Sequence, residues 1–230
     1  MSTPVRYPNG VTNVDKTDDM AKLGMLDPTQ FHVWFDDFND YDSAMWTETA
    51  TSVGTGTSAV TVPDADGGVA RITTAANEDD GIFVEWDSEI FKVESGKKTF
   101  IKARFQVGDA TQSDLIIGLH STDATPLDAT HRFAFISEDG AASLFFNVDD
   151  NTTDADSDTV ATLADDTWVT VAAYYDGKGT VELFADNAKV ATMSDVDVPS
   201  GELAVGFGYL NGAAGAETTD IDYIFVAKER

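Results

Sequence analysis

Three carboxylates stand two apart in Glu85-Trp86-Asp87-Ser88-Glu89. On a β-strand, residues i, i+2 and i+4 share one face, so this spacing would gather Glu85, Asp87 and Glu89 on one side. Carboxylates so placed suit general acid and base work. Two features count against that use. The chain holds 41 Asp and Glu among 230 residues, so such triplets arise by chance. Asp87-Ser88 also reads as a turn rather than as strand continuing beyond Glu85. The expectation is that the chain has no catalytic residue and is not an enzyme.

Asp154, Asp156 and Asp158 have the alternating oxygen spacing of a calcium loop. Such a loop wants Gly at its sixth position and Glu at its twelfth, where Thr159 and Asp165 stand. A solvated acidic loop is the preferred reading, and Asp64, Asp66, Asp79 and Asp80 are no more specific. His32, His120 and His131 lack metal-ligand spacing. No Gly-x-Ser-x-Gly, phosphate loop or dinucleotide fingerprint occurs. No metal or cofactor is expected. Asn151-Thr152-Thr153 is a sequon with meaning only in a glycosylating host. Tyr174, Tyr175, Tyr209 and Trp86 could line a sugar-binding face, although aromatics on strands more often fill cores.

The elements that would position these residues are short strands. Thr167–Met193 shows them best. Trp168–Tyr175 is β-rich, Asp176-Gly177-Lys178-Gly179 is a tight turn, and Val181, Leu183 and Ala185 alternate with Thr180, Glu182 and Phe184. Asp186-Asn187 turns the chain again before Lys189–Met193. Similar strands are expected at Phe31–Phe38, Trp46–Val53, Thr57–Val62, Val69–Thr73, Gly81–Trp86, Glu89–Val93, Lys98–Val107, Asp114–His120, Arg132–Ile136, Ala142–Val148, Leu203–Tyr209 and Asp220–Ala227. Asp149–Asp158 reads as a loop. The pattern predicts an all-β, antiparallel β-sandwich over residues 31–230, with Asp222–Ala227 beside Phe31–Phe38. Residues 1–30 read as an extended arm. Asp18–Leu26 within it could form a helical turn capped by Asp18 or Asp19. Val5, Tyr7, Val11, Val14, Met20, Leu23, Met25 and Leu26 give the arm apolar contacts, for its own domain or, as preferred, for a neighbour.

Composition narrows the partners. Lys and Arg number 14, so the net charge is −27 and the pI near 4.1. Such a surface repels nucleic acid and anionic membrane. Apolar runs such as Leu115–Leu119 are far shorter than the roughly 20 residues a membrane helix needs. The chain has no Cys, which fits assembly in a reducing cytoplasm.

Two resemblances follow. Trp168-x-x-Val171 through Tyr175-Asp176, Gly179, Val181, Leu183 and Asp186-Asn187 resembles the concanavalin A-like lectin/glucanase superfamily, especially laminin-G-like members. The resemblance implies a jelly-roll fold. Glucanases of that superfamily also have a spacing similar to Glu85-x-Asp-x-Glu89, with one Glu as nucleophile and the other as acid/base. Arg6-Tyr7-Pro8-Asn9-Gly10-Val11, Gly24-Met25-Leu26-Asp27-Pro28 and the closing Asp222–Arg230 resemble virion structural proteins of tailed bacteriophages. That implies a non-enzymatic protein decorating or cementing the outer capsid surface, assembled in the host cytoplasm. It would bind the major capsid protein through an arm carrying Arg6, Tyr7, Pro8, Val11, Met25 and Leu26. Arg6 and Tyr7 lead because those types dominate interface hot spots. A homo-oligomer, with trimers at capsid three-fold positions, fits this picture. The alternative is a carbohydrate-binding module for host-surface glycans, and a β-glucanase is third.

Overall fold

Lys98–Val107 alternates charged or polar side chains with apolar ones, and it forms the strand that organises the first sheet. The computed structural model describes residues 18–24, 26–151 and 156–230. In chain order the strands are β1 Phe31–Asp36, β2 Trp46–Thr51, β3 Ala59–Thr61, β4 Ala70–Thr73, β5 Gly81–Trp86, β6 Thr99–Val107, β7 Ser113–His120 and β8 Arg132–Ser137. They continue with β9 Ser143–Asp149, β10 Asp156–Thr162, β11 Val169–Tyr175, β12 Val181–Ala185, β13 Ala188–Met193, β14 Ala204–Asn211 and β15 Thr218–Glu229. One sheet runs β13-β12-β11-β6-β15-β4-β3, with β1 also on β15. The other runs β10-β9-β8-β7-β14-β5-β2. Among the described residues the ladders are all antiparallel, as for strands joined by hairpins and arches.

β15 explains how the chain closes. β6 lies along one edge of it. Its other edge is shared: Thr218–Ile221 pairs with β4, and Ile224–Glu229 pairs with β1. Phe35 stands opposite Phe225, so the expected neighbourhood of first and last strands is observed.

Ile101, Ala103, Phe105 and Val107 of β6 point between the sheets, towards Leu115, Ile117 and Leu119 of β7 and their neighbours. Each large side chain buried there contributes about 1.5–3 kcal/mol. Trp34, Trp46 and Trp86 meet edge to face at 5.2–5.8 Å at one end of this core. The turns fall where the residue types demand. Gly177 and Gly179 have φ of 80° and 89°, and Asp186 and Asn187 have 48° and 66°. Positive φ is tolerated best by Gly and by Asn or Asp.

The opposite face of the first sheet is not bare. Phe100, Ala172, Tyr174, Phe184 and Ala227 form a second apolar cluster with Leu23 and Phe31, and Met20 and Leu26 pack on it. A short 3₁₀ turn, Asp19–Lys22, is capped by Asp18 as expected. Buried Asp19 meets Lys102 Nζ at 2.9 Å. The described residues between 18 and 30 therefore dock on the chain's own sheet, Leu26 among them. Arg6, Tyr7, Pro8, Val11 and Met25 lie outside the described residues.

Two expectations change. β10 begins inside the stretch read as an acidic loop; it is an edge strand with Val160 facing the core, so its polar residues face solvent. Glu89–Val93 makes only an isolated bridge, Phe91 to Leu203.

Candidate functional site

Alternate residues of the second sheet form its outer face. β5 presents Phe83 and Glu85, β7 presents Asp114, Ile116, Gly118 and His120, and β14 presents Gly206, Gly208 and Leu210. The connection from β7 to β8 crosses this face. It includes a 3₁₀ turn, Pro126–Asp128. Leu127 packs on the cluster of Phe83, Ile116, Ala134 and Ile136. Side chains of β5, of the segment that follows it and of β8 tie the connection down. Glu85 Oε1 accepts the Asp123 amide at 3.0 Å. Glu89 Oε1 accepts the Thr122 amide and hydroxyl at 2.8 and 3.0 Å. Arg132 donates to the Leu127 carbonyl and, at 2.9 Å, to Asp149.

This geometry assigns the Glu85-x-Asp-x-Glu89 spacing to structure. Strand β5 ends at Trp86, so the alternation stops there. Glu85 is buried. Asp87 instead accepts the Thr47 hydroxyl at 2.8 Å. Both the Glu85 and the Glu89 carboxylates are engaged in holding residues 122–123. His120 is fully buried beside Glu85, with Nδ1 3.4 Å from Glu85 Oε1 and 3.2 Å from the Ser121 carbonyl. Its Nε2 lies over Gly206, where a Cβ would come within 2.2 Å. Gly206 is thus glycine to make room for an imidazole.

Beyond Leu127 the connection leaves part of the sheet uncovered. The Glu138-Asp139-Gly140 turn, with Gly140 at φ 84°, borders the gap. The result is a groove of about 330 Å³. Phe83, Leu127 and Leu210 supply its apolar surface, and Asp114, Asp128, Glu138 and Asp139 its carboxylates. Thr51 and Thr125 add hydroxyls. Burial pushes the Asp114 carboxyl above its ordinary range. The Asp139, Asp79 and Glu138 charges push the same way, while the Asp139 amide, donating at 2.9 Å, pulls it back. The groove offers hydrogen-bond acceptors beside apolar surface and no cationic side chain among its lining residues.

The other singled-out residues fall elsewhere. Tyr175 and Tyr209 fill the main core, Trp86 packs against it, and Tyr174 joins the second cluster, so the core reading holds for all four. Asp80 is fully buried and accepts the amides of Val53 and Asn77 at 2.7 and 2.9 Å, a structural role. Asp154 lies outside the described residues, as does the side chain of Asp156. Asp158 accepts its neighbour Thr159's amide at 2.8 Å. His131 contacts the hydroxyls of Thr130 and Ser200 at 3.1 and 3.4 Å. Among the described residues no group of three or more His, Asp or Glu is placed to hold a metal ion. Sequence reasoning missed the groove. Its one legible sign was the Glu138-Asp139-Gly140 turn; Leu127 and Asp128 lie in a connection with no periodic pattern.

No protein-family model matches the chain, and no curated protein matches it. Solved structures do. A protein of unknown function, SO2946 from Shewanella oneidensis MR-1, superposes with a TM-score of 0.59 at 16% identity, covering 96% of this chain and 97% of that one. The carbohydrate recognition domain of Emp47p gives 0.57 at 13% identity, covering 88% and 98%. An endo-β-1,4-glucuronan lyase from the fungus Trichoderma reesei gives 0.54 at 12% identity, covering 84% and 94%. At these identities the likeness is one of fold: the chain is an antiparallel jelly-roll β-sandwich, as these structures are.

Proposed function

We propose that this chain is a non-enzymatic, glycan-binding sandwich that takes saccharide in the groove between Leu127 and the Glu138-Asp139-Gly140 turn. One observation carries the reading: carboxylates and threonine hydroxyls converge beside the apolar surface of Phe83, Leu127 and Leu210. A sugar presents both hydroxyl donors and an apolar ring face, and such a groove matches both. Carboxylates accept strongly from hydroxyls. A structural neighbour that is itself a carbohydrate recognition domain supports the reading. Calorimetry of the full chain against neutral oligosaccharides tests it. Asp128→Asn and Glu138→Gln, both at exposed positions, should each weaken binding by about tenfold, from the loss of a charge-assisted hydrogen bond. Binding unchanged in both variants would remove the groove from the account.

A second reading keeps the domain on a virion, cementing the outer capsid surface through contact with the major capsid protein as a homo-oligomer. The exposed apolar pair Val33 and Phe35, 39% and 55% accessible on β1, favours a protein contact there. The net charge of −27 favours the outside of a particle over the DNA-facing side. Co-sedimentation with capsids lacking the protein, using the full chain and a Phe35→Ser variant, tests this. Loss of binding in Phe35→Ser supports it, and no binding by the full chain contradicts it.

A further inference from the structure

Basic residues are scarce in this chain, yet five of its 14, Lys92, Lys97, Lys98, Lys228 and Arg230, gather at one end. A cavity of about 300 Å³ opens among them. His32, Lys92, Lys228 and Arg230 line it together with Glu94, Glu202 and Glu229. Two of these carboxylates are engaged: Glu94 holds Lys228 at 2.8 Å, and Glu229 holds Lys98 at 3.3 Å. Glu202 is exposed to solvent. Lys92 makes no hydrogen bond or close ion pair among the described residues, although its charge acts on Glu94 and helps to lower that carboxyl. Arg230 donates through Nε to the Pro28 carbonyl at 3.2 Å, and its guanidinium meets no carboxylate among the described residues. His32 is fixed by stacking on Phe91, with centroids 4.5 Å apart and planes 12° apart. Burial, then the charges of Arg230 and Lys228, hold its imidazole below its ordinary range. Lys92 and Arg230 are thus cations of this cavity that no carboxylate among the described residues holds in an ion pair, and the His32 ring lies beside them, while Glu94, Glu202 and Glu229 share the lining.

We infer that this cavity binds the acidic group of a saccharide, a carboxylate or sulfate, through Lys92, Arg230 and His32. The identity of the carrier rests on the glycan-binding reading; the affinity for an oxyanion does not. The cavity is separate from the groove. Glu202 precedes β14 and Leu210 lies near its end, roughly 26 Å apart at about 3.3 Å per residue. A bound anion favours the protonated imidazole, so it should raise the titration midpoint of His32.

Proton NMR of the imidazole signals of the full chain tests this, with His32 assigned by His32→Gln. The probes are trigalacturonate, sodium sulfate and neutral maltotriose. Trigalacturonate should shift the His32 signal and raise its midpoint. Lys92→Gln and Arg230→Gln should each weaken that binding about tenfold. Sulfate alone should need a markedly higher concentration. The inference is overturned by no response of His32 to trigalacturonate, by unchanged binding in both variants, or by sulfate binding as tightly as trigalacturonate. If maltotriose binds while trigalacturonate leaves His32 unmoved, this inference fails and the groove reading stands.

Discussion

Lys102 and Asp19 meet under the chain's own N-terminal segment, with side chains 12% and 1% accessible. Removing one partner of such a pair strands the other charge. Lys102→Met should cost about 3–5 kcal/mol at neutral pH, read from urea unfolding. The pH dependence has a definite sign. Burial, with a hydrogen bond to Asp18 that favours the protonated form, already raises Asp19 above its ordinary 3.8, while Lys102 lowers it. Without Lys102 the folded-state value rises further. A raised carboxyl stabilises the fold below its unfolded value and loses that contribution as pH rises through the folded value. The gap between variant and wild type should therefore narrow as pH falls towards 3.8; a gap that widens would contradict the assignment. Gly206 makes a second prediction. Gly206→Ala drives a Cβ within 2.2 Å of buried His120 Nε2, costing about 1–3 kcal/mol in the same measurement. At this scale the sequence misleads for a clear reason. Glu85 and Glu89 stand out by spacing along a strand, but their partners, the amides of Asp123 and Thr122, lie 38 and 33 residues away. No local pattern announces that contact.

The connection between β7 and β8 is the element that makes the groove, and its hold on the sheet is open to measurement. Glu85→Ala removes the acceptor of the Asp123 amide. Hydrogen exchange at Asp123 should rise by about tenfold, while amides of β6 and β15 stay protected. Equal acceleration throughout would mean that Glu85 supports the whole fold rather than this connection. Regular elements were largely legible. β6 alternates cleanly because one face meets the core and the other carries Lys102, Arg104 and Gln106. The β1–β15 pairing followed from closure of a sandwich. β10 was hidden because an acidic edge strand looks like a loop. Glu89–Val93 has strand composition, but it leaves the ladder as the chain turns from Asp87-Ser88, and only Phe91 finds a partner. The segment around Leu23 and Leu26 showed its apolar residues but not their target, since Phe100 and Phe184 look like solvent-facing positions in their strands' alternation.

Over the whole molecule, 41 acidic residues against 14 basic ones create self-repulsion in the folded state. Raising salt from about 0.01 M to about 0.15 M shortens the screening length from roughly 30 to roughly 8 Å. The melting temperature should rise with it, by about 2–4 °C for each kcal/mol of repulsion removed. A melting temperature that falls would mean that ion pairs such as Arg71–Asp220, at 2.6 Å, outweigh the repulsion. Against this acidic background the two cavities differ in chemistry: carboxylates without a cation around Leu127, cations interleaved with carboxylates around His32. The central claim is that the groove takes sugar. Its most direct test is a map of backbone amide shifts in the full chain as a panel of neutral oligosaccharides is added. Saturable shifts concentrated at Thr51, Leu127, Asp128 and Glu138–Gly140 are expected. Shifts absent for every sugar, or confined to surfaces away from these residues, would contradict it.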